Sequence, residues 1–541
     1  MKKITIPFLS LIFSFAAAWS QDLQEPVDYL GKDFHAGRRD ALRKLMPDHS
    51  VAIIFAYPER VFSKDVNYVY HANPDLYYFS GYKEPDAVLL IFKEPQQMGA
   101  TSCNELFFVR KRDPQNEQWT GRRLGVEGVK NRLGFSQVYA GADFDSLCPD
   151  LSHFSQLIFD ALPDDISHSY EAGSLFDMVR VFRKKANIPA GYTSDLSSDL
   201  RLIEQYGRVS NLDRALAYLQ IPVKVERSEV YRNNEIVRQL MQHPDSAALE
   251  SVKSKIRALP KSPEDLFDEL TSGLREIKMP EELVLLEKSV EISSIAHAEA
   301  MKAIRPAISE RELEGILTYV HKKYGAEEEG YPPIVGAGAN GCILHYEENN
   351  TMDVQNQLVL MDVAAEYHGY SADVTRTVPS AGKFSPVQKA IYDLVYNAQE
   401  EIFKLCREGT PFQDLNKKAN EVLADGLLRL GILKNREEVY LYYPHGCSHH
   451  MGLDVHDKNN GGPLRPNMVI TVEPGIYIPA GSPCDKKWWN IGVRIEDDVL
   501  IGSDRCTLLS AAAPRKAEDV EKMIARKSPL ETMALPALHE K

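Results

Sequence analysis

The sequence predicts an α+β protein of two domains, an α/β domain in front and a mixed helix-and-strand domain behind it, and three observations carry that expectation. Short apolar runs alternate with turn residues between Val51 and Phe92. A separate amphipathic pattern opens at Pro280 and keeps helical spacing up to Pro306. Beyond it, acidic residues sit at the ends of apolar runs, where a core strand would otherwise continue with aliphatic side chains. The chain's 541 residues, at roughly 100 to 200 per domain, allow each domain its own core. With 44% hydrophobic and 26% charged residues, 32 Gly and 31 Pro, the composition argues against disordered, collagen-like and membrane-bundle proteins.

The elements follow in order. Lys2 and Lys3 precede an apolar run from Ile4 to Trp19, and Ala18-Trp19-Ser20 places small residues three and one before a cut ahead of Gln21. That run contains Pro7 and falls short of the ~20 residues needed to span a bilayer. Residues 1–20 therefore read as a cleaved signal peptide, and the mature chain is expected to be exported, periplasmic or secreted, with no membrane anchor. Loss of the two lysines leaves 61 basic against 77 acidic residues. That balance argues against nucleic acid or anionic lipid as partner and favours a small or peptide ligand. The seven cysteines form no CxxC pair and read neither as a disulfide framework nor as a thiolate zinc site.

Val51–Ala56, Ala87–Phe92 and Glu105–Val109 read as strands of the front domain, residues 21–276. Within its part from 174 to 276, the polar, charged stretch from Val223 to Ser254 has weak helical periodicity and carries no recognisable fold signature. The boundary falls near Ile277. Pro280 suits a first helical turn, Glu281 and Glu282 suit its positive end, and Leu283, Leu286, Val290, His297, Met301 and Ile304 recur three and four apart. On that stripe His297 reads as a core histidine. In the second domain, 277–541, strands are expected over 358–363, 372–378, 468–472 and 491–501, with helices over 385–406 and 412–430.

Six of the fifteen histidines lie between 345 and 456, interleaved with acids. Asp362 ends the run Leu358–Met361, and Asp373 begins the next strand after Tyr367-His368-Gly369. A hairpin centred on that turn sets the two carboxylates roughly opposite each other. Glu473 ends Met468–Val472, and Glu496 shares a strand face with Arg494. Carboxylates aimed at one another from half-buried strands repel unless a cation lies between them. The segment His445–His456 is too rich in glycine for a zinc-protease helix and reads as loop and strand. Oxygen ligands with one imidazole suit a hard divalent ion such as Mn²⁺, with Co²⁺, Zn²⁺ and Fe²⁺ also compatible. Four carboxylates match the charge of two such ions, and hence a dinuclear site with a bridging hydroxide. The bland alternative is a set of solvated strand-end acids, and spacing alone names no reaction.

At these residues the chain resembles the Xaa-Pro aminopeptidase (aminopeptidase P) branch of the pita-bread metallopeptidases, family M24. The resemblance is carried by Ile334–Glu347, Leu358–Pro379, His445–Asp457, Thr471–Ile478 and Gly492–Asp498, and more faintly in front by Asp75–Gly81 and Trp119–Gly125. It implies a creatinase-like α/β amino-terminal domain ahead of a pita-bread catalytic domain. It implies that Asp362 binds one metal, that Asp373 and Glu496 bridge two, and that His449 and Glu473 complete the second, with His450 not a ligand. A bridging hydroxide would attack the carbonyl of the first residue and Glu473 would shuttle its proton. His345, His445 and His456 would contact substrate, with His456 stabilising the tetrahedral intermediate. Arg494 would orient Glu496 and the bridge, and Tyr477 is a further candidate.

The expected activity is thus a dimetal exopeptidase acting on peptides with proline in second place. A prolidase restricted to Xaa-Pro dipeptides is the enzyme alternative, and a metal-free binding protein on the same fold is the other. The resemblance also implies a homo-oligomer, dimer or tetramer, in which a partner's Asp75 and Trp119 could close the site.

Overall fold

The computed structural model describes residues 26–532 apart from 164–168, 170, 190, 191, 193, 243 and 244. The expected signal peptide, 1–20, lies outside the described residues. In front, a five-stranded sheet has the order Val138–Ala140, Thr101–Val109, Val88–Met98, Ser50–Phe55, Gln156–Phe159. Its inner pairs are antiparallel and its two outer pairs parallel. Ser50–Phe55 is buried at every position, because both sheet faces are covered, and it therefore reads as a continuous apolar run.

Residues 174–276 are helical. The first helix, Leu175–Lys185, packs on one face of the front sheet, and the last, Pro263–Arg275, contributes Phe267 to the core beneath the other face. Between them, short helices from Asp195 to Ala258 enclose a small core of their own around Leu200, Leu216, Val237 and Val252. Ser246–Ala258 buries Leu249, Val252 and Ile256 along one stripe, whereas the helices Leu212–Tyr218, Ile221–Arg227 and Glu229–Asn233 are short and bury one or two side chains each. The sequence accordingly shows little periodicity there.

Pro280–Ala303 forms the expected helix, with Pro280 at its first position and Glu282 bonding back to the Met279 N–H at 2.8 Å. Two helix pairs cover the strands of the catalytic domain, Pro280–Ala303 with Glu310–Lys323 and Pro386–Phe403 with Phe412–Arg429. The strands form small antiparallel sheets: Thr375–Pro379, Leu358–Asp362 and Ile334–Ala337 in one, Val469–Val472, Asp497–Ile501 and Cys506–Leu508 in another, and Gly475–Ile478 with Ile491–Arg494 as a pair.

The 358–379 hairpin differs from the expected register. Tyr367 pairs with Tyr370, which leaves His368 and Gly369 as the loop, at φ +52° and +88°. Two successive left-handed residues make the tight turn whose twist matches a hairpin. The register then places Asp362 opposite Thr375, so Asp373 sits two residues off as a diagonal neighbour on the same face.

That turn is clasped from the amino terminus. The His368 ring lies between Asp28 Oδ1 at 2.8 Å and Glu327 Oε1 at 2.7 Å, and Tyr29 stacks on it with centroids 3.7 Å apart. Asp28 also accepts from Lys288 and from the Tyr367 hydroxyl, both at 2.7 Å. Substituting His368 with Asn removes the clasp but keeps a residue that tolerates left-handed backbone, whereas Val adds strain. Thermal unfolding should show His368→Val less stable than His368→Asn by about 1–2 kcal/mol.

Candidate metal centre and active site

Backbone pairing brings the acids together. In the first half the hairpin sets Asp362 and Asp373 diagonally. In the second, His449 O accepts from Thr471 N at 2.9 Å and Cys447 O from Glu473 N at 2.9 Å, so 447–451 runs antiparallel beside 469–473. His449 and Glu473 are thereby diagonal neighbours as well. Glu496 N donates to Thr375 O at 3.1 Å, which stitches the two halves and delivers the Glu496 carboxylate beside Asp373.

The long helices hold these strand ends. His297, fully buried, bonds the Val363 carbonyl at 2.9 Å, one residue past Asp362. Gln399 donates to the carbonyls of Val472 and Ile495, immediately before Glu473 and Glu496. Gly492 is required by close approach, since a Cβ there would lie 2.0 Å from the Gly341 carbonyl oxygen.

One cavity of about 390 Å³ is lined by His345, Asp362, Asp373, His445, His449, His456, Glu473, Arg494 and Glu496 together. Asp373, His449 and Glu496 offer ligand atoms within 4.8 Å of one another. The His449 Nδ1 faces the His450 carbonyl at 3.0 Å, which turns Nε2 toward Asp373 Oδ2 at 3.2 Å and Glu473 Oε1 at 3.6 Å. A ring anchored through one nitrogen, with the other aimed at carboxylates, is the usual posture of a metal-binding histidine. His450 points elsewhere, stacked on Phe412, and does not line the cavity.

Arg494 departs from its expected partner. Its Nη2 donates to Asp362 Oδ2 at 2.5 Å, and it reaches Glu496 only through Thr375, whose hydroxyl accepts from Arg494 Nε at 3.2 Å and donates to Glu496 at 2.6 Å. Tyr477 is more than packing: its hydroxyl accepts from Arg494 Nη1 and bonds His445 Nε2, both at 2.8 Å. Since the His445 Nδ1 lies 2.7 Å from the Gly446 carbonyl and donates to it, Nε2 is left as the acceptor and the ring is neutral.

Tyr331 was not foreseen from the sequence. Its hydroxyl is shared between Asp362 Oδ1 at 2.5 Å and Asp373 Oδ1 at 2.7 Å. It stands between Glu327-Glu328-Glu329-Gly330 and Pro332-Pro333, outside every motif singled out in the sequence, so only the fold reveals it.

Asp75 and Trp119 are placed unlike a solvated acid and a core aromatic. Trp119 is 88% exposed, whereas Asp75 is buried in a charge lattice that joins the domains. Arg275, at the end of the 263–275 helix, donates to Asp75 at 2.8 Å, to Asp454 at 2.6 Å and to Asp457 at 2.5 Å. Lys278 reaches Asp457 at 2.6 Å and Lys458 reaches Asp75 at 2.9 Å. The loop so held, 454–458, carries His456, whose ring meets that of His449 edge-on at 4.3 Å.

The electrostatics fit divalent cations. Burial pushes the carboxyls of Asp362 and Glu496 above the usual carboxylate range and that of Glu473 up to about 7, with the neighbouring carboxylates adding to it. Burial disfavours the His449 imidazolium, but the hydrogen bond and charge of Asp373 outweigh it and raise the group to about 9. Four acids face one guanidinium, an excess of negative charge that divalent cations would relieve.

The sequence profile of metallopeptidase family M24 matches residues 284–503, and that of the aminopeptidase P N-terminal domain matches 35–159. The Xaa-Pro aminopeptidase of Escherichia coli is 32% identical over 501 residues, covering 90% of this chain and 96% of its own. The chain belongs to family M24, in its aminopeptidase P branch. The mitochondrial intermediate cleaving peptidase 55 of Arabidopsis thaliana is 29% identical, with 93% of this chain and 87% of its own covered. Among solved structures, Escherichia coli aminopeptidase P with the inhibitor Pro-Leu superposes with a TM-score of 0.69 at 29% identity, covering 92% of this chain and 98% of its own. The chain is thus a metallopeptidase whose family uses divalent metal ions, with the pita-bread catalytic domain and the amino-terminal domain that the resemblance implies.

Two outcomes follow from this geometry. Without metal, Glu473 and His449 hold their protons more tightly folded than unfolded. Their stabilising contribution is complete below pH 4.5 and 6.5 and is lost as pH rises through about 7 and 9. The rise in melting temperature that Mn²⁺ gives metal-stripped protein should therefore grow from pH 5 to 8, as fewer protons have to be displaced from these two groups. In the domain lattice, Arg275→Met leaves three carboxylates short of a partner and should cost about 3–5 kcal/mol in denaturant unfolding.

Proposed function

We propose that the chain is a dimetal Xaa-Pro aminopeptidase that releases the first residue of a peptide whose second residue is proline. The observation that carries this reading is the convergence of four carboxylates, three of them buried and Glu473 half-buried, and one anchored imidazole on a single histidine-lined cavity. Asp362, Asp373, His449, Glu473 and Glu496 would hold two divalent ions, with Mn²⁺ the ion of choice for an oxygen-rich set. When bound, such ions supply Lewis acidity toward the scissile carbonyl and acidify bound water.

The chain's own groups do the rest. Glu473, pushed up to about 7, is poised to take a proton during attack and return it to the departing proline nitrogen. That return matters because the amide before proline carries no N–H and leaves as a secondary amine. Burial keeps the His456 imidazole below its ordinary value, so it is neutral and presents an N–H toward a developing oxyanion. Arg494, tied to Tyr477 and Asp362, fixes the floor of the cavity.

We further propose export behind the amino-terminal 20-residue segment and assembly as a homo-oligomer. The 88% exposed Trp119 supports the second, as a large aromatic left for a partner to cover. No helix among the described residues is long and apolar enough to cross a membrane.

The test is metal-stripped protein, resupplied with Mn²⁺ and given a matched Xaa-Pro-Xaa tripeptide and Xaa-Pro dipeptide, with release of the first amino acid followed. Metal-dependent cleavage of the tripeptide is expected, and cleavage of the dipeptide alone would make the enzyme a prolidase. Asp373→Asn should lose metal binding and turnover, whereas His456→Ala should keep metal and lose turnover by 10²-fold or more, on the order of one transition-state contact. Full activity in both variants would refute the assignment.

A further inference from the structure

Two cysteines a hundred positions apart meet under one helical turn. Cys406 closes the turn after Pro386–Phe403 and is fully buried, while Cys506 opens the strand Cys506–Leu508 and is half-buried against the same core. The Phe403 carbonyl accepts from both, from the Cys406 N–H at 3.2 Å and from the Cys506 thiol at 3.8 Å. The Cys406 thiol lies 3.4 Å from the Ile402 carbonyl, and the two thiols are in hydrogen-bonding contact with each other. One strand end and one helix end thus present their sulfurs to each other with no side chain between.

We propose that Cys406 and Cys506 form an intrachain disulfide when the chain matures in an oxidising compartment. The proposal shares with the functional reading only the expectation of export, and it does not depend on the reaction catalysed. The two thiols have different parts in the chemistry. Cys506 is the accessible one, and its thiolate is favoured by the hydrogen bond it accepts from Cys406 and by the charge of Arg515. Its sulfur attacks a disulfide donor of the glutathione class and displaces one donor thiol. Cys406 then loses its proton and attacks the Cys506 sulfur of the mixed disulfide, displacing the second donor thiol. Two cysteine thiols are oxidised to one S–S bond, and one donor disulfide is reduced to two thiols.

The segment between the two cysteines carries His445, His449, His456, Glu473, Arg494 and Glu496. A cross-link closing about a hundred residues removes much of the freedom of the unfolded chain, so it would hold most of the cavity lining in one loop. The remaining five cysteines offer no such arrangement: Cys103 and Cys148 lie in the front domain's core, and the Cys447 thiol is engaged with Tyr443.

The test uses the full, purified chain, first reduced and then equilibrated with a reduced and oxidised glutathione buffer set to the poise of an oxidising compartment. After quenching with an alkylating reagent and digestion with trypsin, mass spectrometry should find Leu405-Cys406-Arg407 linked to the peptide that begins at Cys506 and ends at Arg515. The other five cysteines should be alkylated. Thermal unfolding of the oxidised form should occur roughly 5 °C or more above that of the same sample after a reductant. Cys506→Ser, a change at the half-buried position, should show six alkylated cysteines and no shift with reductant. Seven alkylated cysteines in folded wild-type protein, or a link joining any other pair, would overturn the proposal. Because the readout is a covalent mass, it stands or falls separately from peptidase activity.

Discussion

Asp362, Asp373, Glu473 and Glu496 face one another around one cavity, and each would push its neighbours away if left alone. Such an arrangement stores unfavourable electrostatic energy that only counter-charge and rigid surroundings can contain. Arg494 supplies one positive charge, and the Tyr331 hydroxyl and Thr375 spread the load over neutral donors. Much of the catalytic domain can be read as the apparatus that keeps these groups from relaxing apart. The consequence is a site with a built-in appetite for cations, whose affinity derives as much from the repulsion relieved as from the bonds made.

The containment is built the same way twice. In each half an antiparallel pair offers two ligands as diagonal neighbours, and a threonine, Thr375 or Thr471, takes the place directly opposite. A long helix then sends one buried polar side chain, His297 or Gln399, to a backbone carbonyl beside a ligand. Diagonal placement brings one member of each pair, Asp373 and His449, together with Glu496 as the group able to hold an ion. The backbone bond from Glu496 to Thr375 locks the halves to each other, so the spacing of the five candidate ligand side chains is set by main-chain hydrogen bonds.

How much of this was legible in the sequence depended on range. Asp362, Asp373, Glu473 and Glu496 stood out because each breaks an apolar strand, a local conflict that needs no knowledge of the fold. The Pro280 helix was equally plain, with its proline start and acidic first turn. The hairpin register was misplaced by two, because the two-residue loop is His368-Gly369, with Tyr367 paired to Tyr370, rather than a turn centred between Tyr367 and His368. Tyr331 and the indirect route from Arg494 to Glu496 were invisible, since both depend on contacts between segments far apart in the chain. The helices Leu212–Tyr218, Ile221–Arg227 and Glu229–Asn233 escaped notice for a related reason: they are too short to repeat an apolar stripe, and they find their core only by folding on one another.

The lattice around Arg275 bears on where this protein can be divided. The boundary expected from the sequence falls near residue 277, yet Asp75 on one side of it and Asp457 on the other share the same guanidinium, itself 1% exposed. A fragment beginning at 277 would keep the ligands but expose Asp454 and Asp457 without Arg275, and a fragment ending there would leave Arg275 without its acids. The covalent border and the energetic border therefore do not coincide. Swapping front domains between relatives would succeed only where the incoming domain brings both an arginine and an acid to this junction, so the two domains are constrained to change together.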